Sequence, residues 1–379
     1  MTSEPKTSPK YPIEPYLSLS EEGLRERIAA VKKEMGPRLL ILGHHYQQDG
    51  VIGFSDLRGD SYQLSAMAAA DERCEAIVFC GVHFMAETAD ILANSEEKLT
   101  QRDGRRVDVI LPDLEAGCSL ADMADIDQVE DCWSQLAEVI DVSEITPITY
   151  VNSAADLKAF CGRNGGIVCT SANAAAALEW AFKQRPRVLF FPDQHLGRNT
   201  SKAMGIPLEQ MPTWDPDAEQ LGGNEPSAIE RSKVLLWKGQ CSVHQDFLPK
   251  HIDDFREKYP DIKIMVHPEC MMEVVDKADL SGSTGKIIAA VKGAPAGTRW
   301  AIGTELHLVN RLKAEFPEQE IHFLSPMVCM CSTMYRIDMP HLCWSLENLS
   351  AGTPVNVIAV EEEVSRWALV ALKRMLEIK

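Results

Sequence analysis

Several absences narrow the field. No stretch of the sequence approaches the roughly 18 uninterrupted apolar residues of a membrane-spanning helix. There are 38 Lys and Arg against 56 Asp and Glu, a formal net charge of −18. The chain therefore lacks the positive excess that holds a polyphosphate backbone, and the one short basic run, 102–106, is interrupted by Asp103. Neither a nucleic acid nor a membrane is expected as a partner. The first 19 residues carry Pro5, Pro9, Pro12 and Pro15 but no apolar segment of signal-peptide type. They read as a loose leader, and the expected location is the cytoplasm. The 11 cysteines form no C-x-x-C pair. That excludes a zinc ribbon, a thioredoxin site and a ferredoxin-type cluster run. An odd number without an export signal points to reduced thiols, and any metal bound by them must draw on distant parts of the chain. A Walker loop, a G-x-G-x-x-G turn, a nucleophile elbow and an H-E-x-x-H helix are also missing.

What is present is an ordinary globular composition, 45% hydrophobic and 25% charged over 379 residues. Short β-rich runs alternate with helical patterns: 39–42, 76–80, 107–111, 148–151, 166–169, 188–191, 234–237, 262–266, 300–302 and 321–324. Continuous apolar strands between helices indicate parallel sheets covered on both faces, an α/β protein. A first helix is expected at 20–35 and a last one at 364–376, and the Pro-, Gly- and acid-rich stretch 213–232 reads as a surface loop. In parallel sheets function gathers at the carboxyl ends of strands. Three of these runs end in polar residues: His44-His45-Tyr46, Tyr150-Val151-Asn152 and His267-Pro268-Glu269. Three others lead into Cys-Ser, at Cys118, Cys241 and Cys331. This double recurrence indicates a threefold internal repeat of small α/β units. It divides the chain into a leader and helix (1–36), unit 1 (37–118, with 332–379 packing on it), unit 2 (119–240) and unit 3 (241–331).

Each candidate has a plain structural alternative. Cysteines are among the most buried residues and most bind nothing. A thiol between a strand end and a helix start is, however, favoured as thiolate, a soft ligand for iron–sulfur or zinc. An isolated His at a strand end commonly satisfies a nearby carbonyl, whereas Glu269 beside His267 makes an acid/base pair if burial shifts the carboxyl pKa. The turns at Gly59-Asp60-Ser61, Thr170-Ser171-Ala172-Asn173 and Gly282-Ser283-Thr284-Gly285 precede expected helices. Capping, worth about 1 kcal/mol, explains any one of them. Three together also offer N–H groups and hydroxyls to a small anion with several acidic groups.

In order, the motifs LGHHYQ (around 43–47), GDSYQLS (59–65), CGVHFMAETADIL (80–92), LPDLEAGCSLAD (111–122), TYVNSAADLKA (149–159), CTSANA (169–174), PDQHLG (192–197), GQCSVHQ (239–245), VHPEC (266–270), GSTG (282–285), IGTE (302–305) and MCSTM (330–334) resemble the quinolinate synthase (NadA) family of NAD biosynthesis. The resemblance runs from about 37 to 350. It implies three similar α/β/α units around a pseudo-threefold centre. It also implies one [4Fe–4S] cluster per chain on Cys118, Cys241 and Cys331, with the fourth iron open as a Lewis acid. The implied reaction condenses iminosuccinate with dihydroxyacetone phosphate to quinolinate, losing phosphate and water. An aspartate-oxidising enzyme, in transient contact, would supply the unstable iminosuccinate. The implied substrate residues are His44, Ser61, Tyr150, Asn152, Ser171, His267, Glu269, Ser283 and Thr284. Glu269, Tyr46, His267 and His244 are the catalytic candidates, with Glu269 moving protons. Another [4Fe–4S] hydro-lyase acting on a small dicarboxylate is the alternative, distinguished by phosphate release. Two features depart from the family pattern. Cys329 lies two residues before Cys331, the family's C-x-x-M spacing favouring Cys331, and Pro340 interrupts the helix start expected after it.

Overall fold

The structure is a computed structural model that describes residues 9–70, 73–327 and 330–378; Cys329 falls outside them. The described chain divides into two compact units, residues 1–118 with 331–366, and residues 119–330 with 367–379.

In the first unit a parallel sheet is built from β1 (Leu39–His44), β2 (Leu57–Gly59), β3 (Ala76–Cys80) and β4 (Asp108–Ile110). The central strands β1 and β3 are buried along their whole length, which is why they read as unbroken apolar runs. The first helix, Glu21–Met35, is capped by Ser20, whose hydroxyl accepts from the Gly23 N–H at 3.2 Å. Glu21 and Glu22 sit in its first turn and Lys32 and Lys33 in its last, both complementing the helix dipole. It buries Leu24, Ile28, Val31 and Met35. Arg27 on this helix makes a two-pronged pair with Glu347 of the helix Met339–Ser350, at 2.7 and 2.6 Å. Pro340 does not interrupt that second helix. It stands in its first turn, where no N–H is needed, with Asp338 capping the His341 N–H at 2.9 Å.

The second unit holds two further parallel sheets. One contains β5 (Ile145–Tyr150), β6 (Ile167–Cys169), β7 (Arg187–Phe191), β8 (Thr213–Trp214) and β9 (Val234–Trp237), in the order β6-β5-β7-β9-β8. The other contains β10 (Lys263–Val266), β11 (Leu280–Ser281), β12 (Arg299–Gly303) and β13 (Glu320–Phe323), in the order β11-β10-β12-β13. A final strand, β14 (Val357–Ile358), returns to the first sheet and pairs antiparallel with β4. The molecule is thus α/β, with three sheets that are parallel but for this one edge.

One expectation needs correction. Stretch 213–232 is not a bare loop: it supplies β8 and a helix, Pro226–Arg231, and buries Trp214 and Ile229. Its polar composition hid two apolar anchors. The last helix, Glu362–Glu377, spans the boundary of the division at Arg366. From Trp367 onward it groups with the second, burying Ala368, Ala371, Leu372 and Met375. Gly162 lets it approach closely, since a Cβ there would lie 1.9 Å from the Trp367 carbonyl oxygen.

Candidate active site and metal-ligating residues

In the second unit, the carboxyl ends of β5 and β10 meet at Glu269. β10 ends at Val266, opposite Gly303 of β12, and His267 continues the pairing by donating its N–H to the Gly303 carbonyl at 2.9 Å. A tight turn comes next, closed by the Cys270 N–H on the His267 carbonyl at 3.0 Å. The turn directs Glu269 inward, only 3% exposed. Nδ1 of His244 lies 2.7 Å from its Oε2, and Nδ1 of His267 lies 3.7 Å from the same oxygen. The Tyr150 hydroxyl, from the end of β5, also donates to it. The two histidine rings stack with centroids 4.5 Å apart and planes 18° from parallel. Thr304, fully buried, places its hydroxyl 3.4 Å from His244 Nε2.

Burial pulls the Glu269 pKa up, but the two imidazoles and the hydrogen bonds from His244 and Tyr150 outweigh it and hold the carboxyl below its ordinary range. Burial pushes His267 down to about 3, against the pull of Glu269. His267 is therefore neutral at ordinary pH. Its Nδ1 faces the Glu269 N–H at 3.4 Å as acceptor, which assigns the ring proton to Nε2.

Cys241 completes this group. Its Sγ, a ring nitrogen of His244 and a carboxylate oxygen of Glu269 all lie within 4.8 Å of one another. The loop before Cys241 is joined to the loop after β7. Asp193 bridges Gly239 in parallel fashion, the Gln194 N–H donates to the Gly239 carbonyl at 2.9 Å, and the Cys241 N–H donates to the Asp193 carboxylate. Only glycine fits at 239, because a Cβ would lie 2.3 Å from the Pro192 carbonyl oxygen. Cys241 leads into a single helical turn, Ser242–Gln245, whereas Cys118 and Cys331 each precede a 3₁₀ turn, Ala121–Met123 and Met334–Arg336 respectively. The expectation of a helix behind each thiol is thus not met, and a helix dipole does not account for thiolate character there.

Exposure divides the thiols. Of the ten described cysteines, Cys118, Cys241 and Cys331 are partly exposed and the other seven are buried. Burial pushes the Cys80 and Cys343 thiols up to about 12 and raises those of Cys132, Cys161 and Cys169. Buried neutral thiols of this kind are inert. The donor set left over, three accessible thiols, is chemically that of an iron–sulfur ligand set.

The family model described as "Quinolinate synthetase A protein" matches residues 26–377 of this sequence. The chain belongs to the quinolinate synthetase A family. It therefore belongs among the enzymes of NAD biosynthesis. A quinolinate synthase of Rhodopirellula baltica is 66% identical over 97% of this chain and 94% of its own length. Those of Corynebacterium glutamicum and Acidobacterium capsulatum are 52% and 53% identical, covering 99% and 97% of this chain and 93% and 96% of their own lengths.

The quinolinate synthetase motifs fall in both units. In the first, β1 delivers His44, which is 4% exposed and accepts the Tyr46 N–H on Nδ1 at 3.1 Å, with the two rings edge to face at 4.7 Å. The next two residues hold the segment after Cys331: Gln47 Nε2 donates to the Met334 carbonyl at 3.3 Å and Gln48 Nε2 to that of Ile337 at 2.8 Å. Arg336 in that segment pairs with Asp113 at 2.9 Å and Glu115 at 2.7 Å, so the stretches carrying Cys118 and Cys331 are tied together. Ser61 opens the helix Ser61–Ala70, but its cap is Asp60, whose carboxylate accepts the Gln63 N–H at 2.9 Å. In the second unit, Asn152 follows β5, and its buried Oδ1 has no partner among the described residues, leaving an acceptor available. Ser171 lies in the turn after β6, braced by Asn173 Oδ1 on the Thr170 N–H at 2.7 Å. Ser283 caps the helix Thr284–Lys292, and both Ser283 and Thr284 are buried. The geometry joins Tyr150, His244, His267, Glu269 and Cys241 directly. Thr304 and Asp193 were not singled out from sequence. IGTE and PDQHLG contain them, and only the distances give them a part.

Proposed function

We propose that this chain condenses iminosuccinate with dihydroxyacetone phosphate to form quinolinate, releasing phosphate and water. The observation that carries the reading is the meeting of Cys241, His244 and Glu269 within 4.8 Å, a soft metal ligand beside a buried acid/base pair. The chain is read as three α/β units (37–118, 119–240 and 241–331); Cys118 closes the first, Cys241 and Cys331 open and close the third, and these three thiols would hold a [4Fe–4S] cluster. When bound there, the cluster would supply Lewis acidity toward a substrate oxygen.

The protein's own residues do the rest. Glu269, ionised, accepts a proton from substrate on a carboxylate oxygen, and His244, 2.7 Å away, orients that carboxylate. Neutral His267 donates from Nε2, and the Tyr150 hydroxyl holds Glu269 in place. Tyr46, set by its contact with His44, serves as a second proton carrier in the first unit. His44, Ser61, Asn152, Ser171, Ser283 and Thr284 bind the carboxylates and the phosphate. The condensation, the loss of water and the loss of phosphate balance without oxidant or reductant. No described helix is long and apolar enough to cross a membrane, and we place the enzyme in the cytoplasm, supplied by an enzyme that oxidises aspartate.

The test is anaerobic purification with iron and sulfide analysis, together with an assay of quinolinate and phosphate. About four irons per chain are expected. Iron should be lost in Cys118→Ser, Cys241→Ser and Cys331→Ser and retained in Cys329→Ser. Glu269→Gln should keep its iron and lose turnover. Phosphate release without quinolinate, or full iron content in any of the three serine variants, would defeat the reading.

A further inference from the structure

We infer that Asn199 is a positioning residue for Glu269, its side-chain amide holding the turn that presents the carboxylate. The inference rests on the reading that Glu269 works on substrate. Asn199 lies on the helix Gln194–Ala203 and is 8% exposed. Its Nδ2 donates to the Pro268 carbonyl at 2.9 Å and to the Cys270 carbonyl at 2.8 Å. Both amide hydrogens are thus spent on the two residues flanking Glu269. Buried carbonyls need partners, and here a single distant side chain supplies both. The orientation of the amide is fixed by these contacts, since turning it over would set its oxygen against two carbonyl oxygens. Its Oδ1 has no partner among the described residues, so no other contact competes for the orientation.

The platform is rigid. A Cβ on Gly197 would lie 2.6 Å from Leu236 Cδ2 and 2.8 Å from Phe190 Cδ1, so the helix rests directly on β7 and β9. Its start is fixed by Asp193, which accepts the Leu196 N–H at 2.6 Å, and its middle by Arg198, which donates to the Thr213 hydroxyl at 2.9 Å. The same Asp193 segment carries the bridge to the loop before Cys241. One helix therefore sets the Cys241 and His244 side of the site and, through Asn199, the Glu269 side. Catalytic groups need placement to about 0.5 Å, and supporting contacts of this kind commonly account for 10- to 100-fold in activity.

The experiment compares Asn199→Leu, Asn199→Ser, Ser201→Ala and Glu269→Gln for iron content, thermal midpoint, kcat and KM. Ser201 is the control: it sits on the same helix, is fully buried, and its hydroxyl has no partner among the described residues. Asn199→Leu should keep its iron and lose kcat by roughly 10- to 100-fold, with KM changed far less. Asn199→Ser, which restores a hydroxyl donor, should recover part of that loss, and it replaces the leucine variant if the latter does not fold. Ser201→Ala should keep kcat. Unchanged kcat in both Asn199 variants, or activity that falls only in step with iron and folded protein, overturns the inference. If Glu269→Gln is inactive while the Asn199 variants are normal, only this inference falls. If Glu269→Gln turns over normally, the role of Glu269 falls first and this one with it.

Discussion

A carboxylate that is 3% exposed would ordinarily be neutral, and Glu269 is held ionised by what surrounds it. Two hydrogen-bond donors act on one group, His244 and the Tyr150 hydroxyl, with the His267 ring stacked beside His244. Tyr150 is the cleanest to remove, because its ring can stay as phenylalanine. The sign is fixed by the direction of the shift. With its pKa lowered, Glu269 stays ionised well below neutral pH, so the native enzyme shows no acid limb from this group in the working range. Losing one donor moves the pKa upward. Tyr150→Phe should therefore lower kcat by about tenfold at neutral pH and bring a new acid-side decline in kcat into view. A pH–kcat profile parallel to that of the native enzyme would show that the hydroxyl does not act on the carboxylate.

Among the elements, helix-to-helix approach depends on single missing atoms. A methyl at position 162 would lie 1.9 Å from the Trp367 carbonyl oxygen, a backbone atom that no rotamer change can move aside. Gly162→Ala should separate the helix Ala155–Arg163 from the last helix and cost about 1–3 kcal/mol, read as a lowered denaturant midpoint. An unchanged midpoint would mean that this packing is not as close as described. The elements also show what sequence can convey. All ten apolar runs became strands, since most of them bury three or more residues in a row and leave a clear trace. The strands not anticipated, β2, β8, β11 and β14, are edges of two or three residues, too short for any periodicity. Pro340 was misread because a proline at a helix start and one inside it look alike until the cap, Asp338, is located. The polar strand ends at Tyr150 and at His267-Pro268-Glu269, and one Cys-Ser pair, Cys241-Ser242, hold residues that the structure brings together. Asn199 gave no such signal, because its partners are carbonyl oxygens some seventy residues away, and every residue has one of those.

The whole chain does not run unit by unit. It leaves the first unit at Cys118, builds two sheets in the second, returns to the first at Cys331 and ends in the second from Trp367. Cys118 and Cys331 mark two of those crossings. The division of the ten described thiols into three partly exposed and seven buried has a practical result. An alkylating reagent applied to iron-free Cys329→Ser protein should add three adducts, at Cys118, Cys241 and Cys331, and no more until the chain is denatured. Mass spectrometry would read that number directly, and early adducts at Cys169 or Cys343 would contradict it. Under the proposed ligand set the same three sulfurs would be withdrawn when iron and sulfide are assembled on them, and the adduct tally would then gauge how much of any preparation is loaded, legible without spectroscopy or substrate.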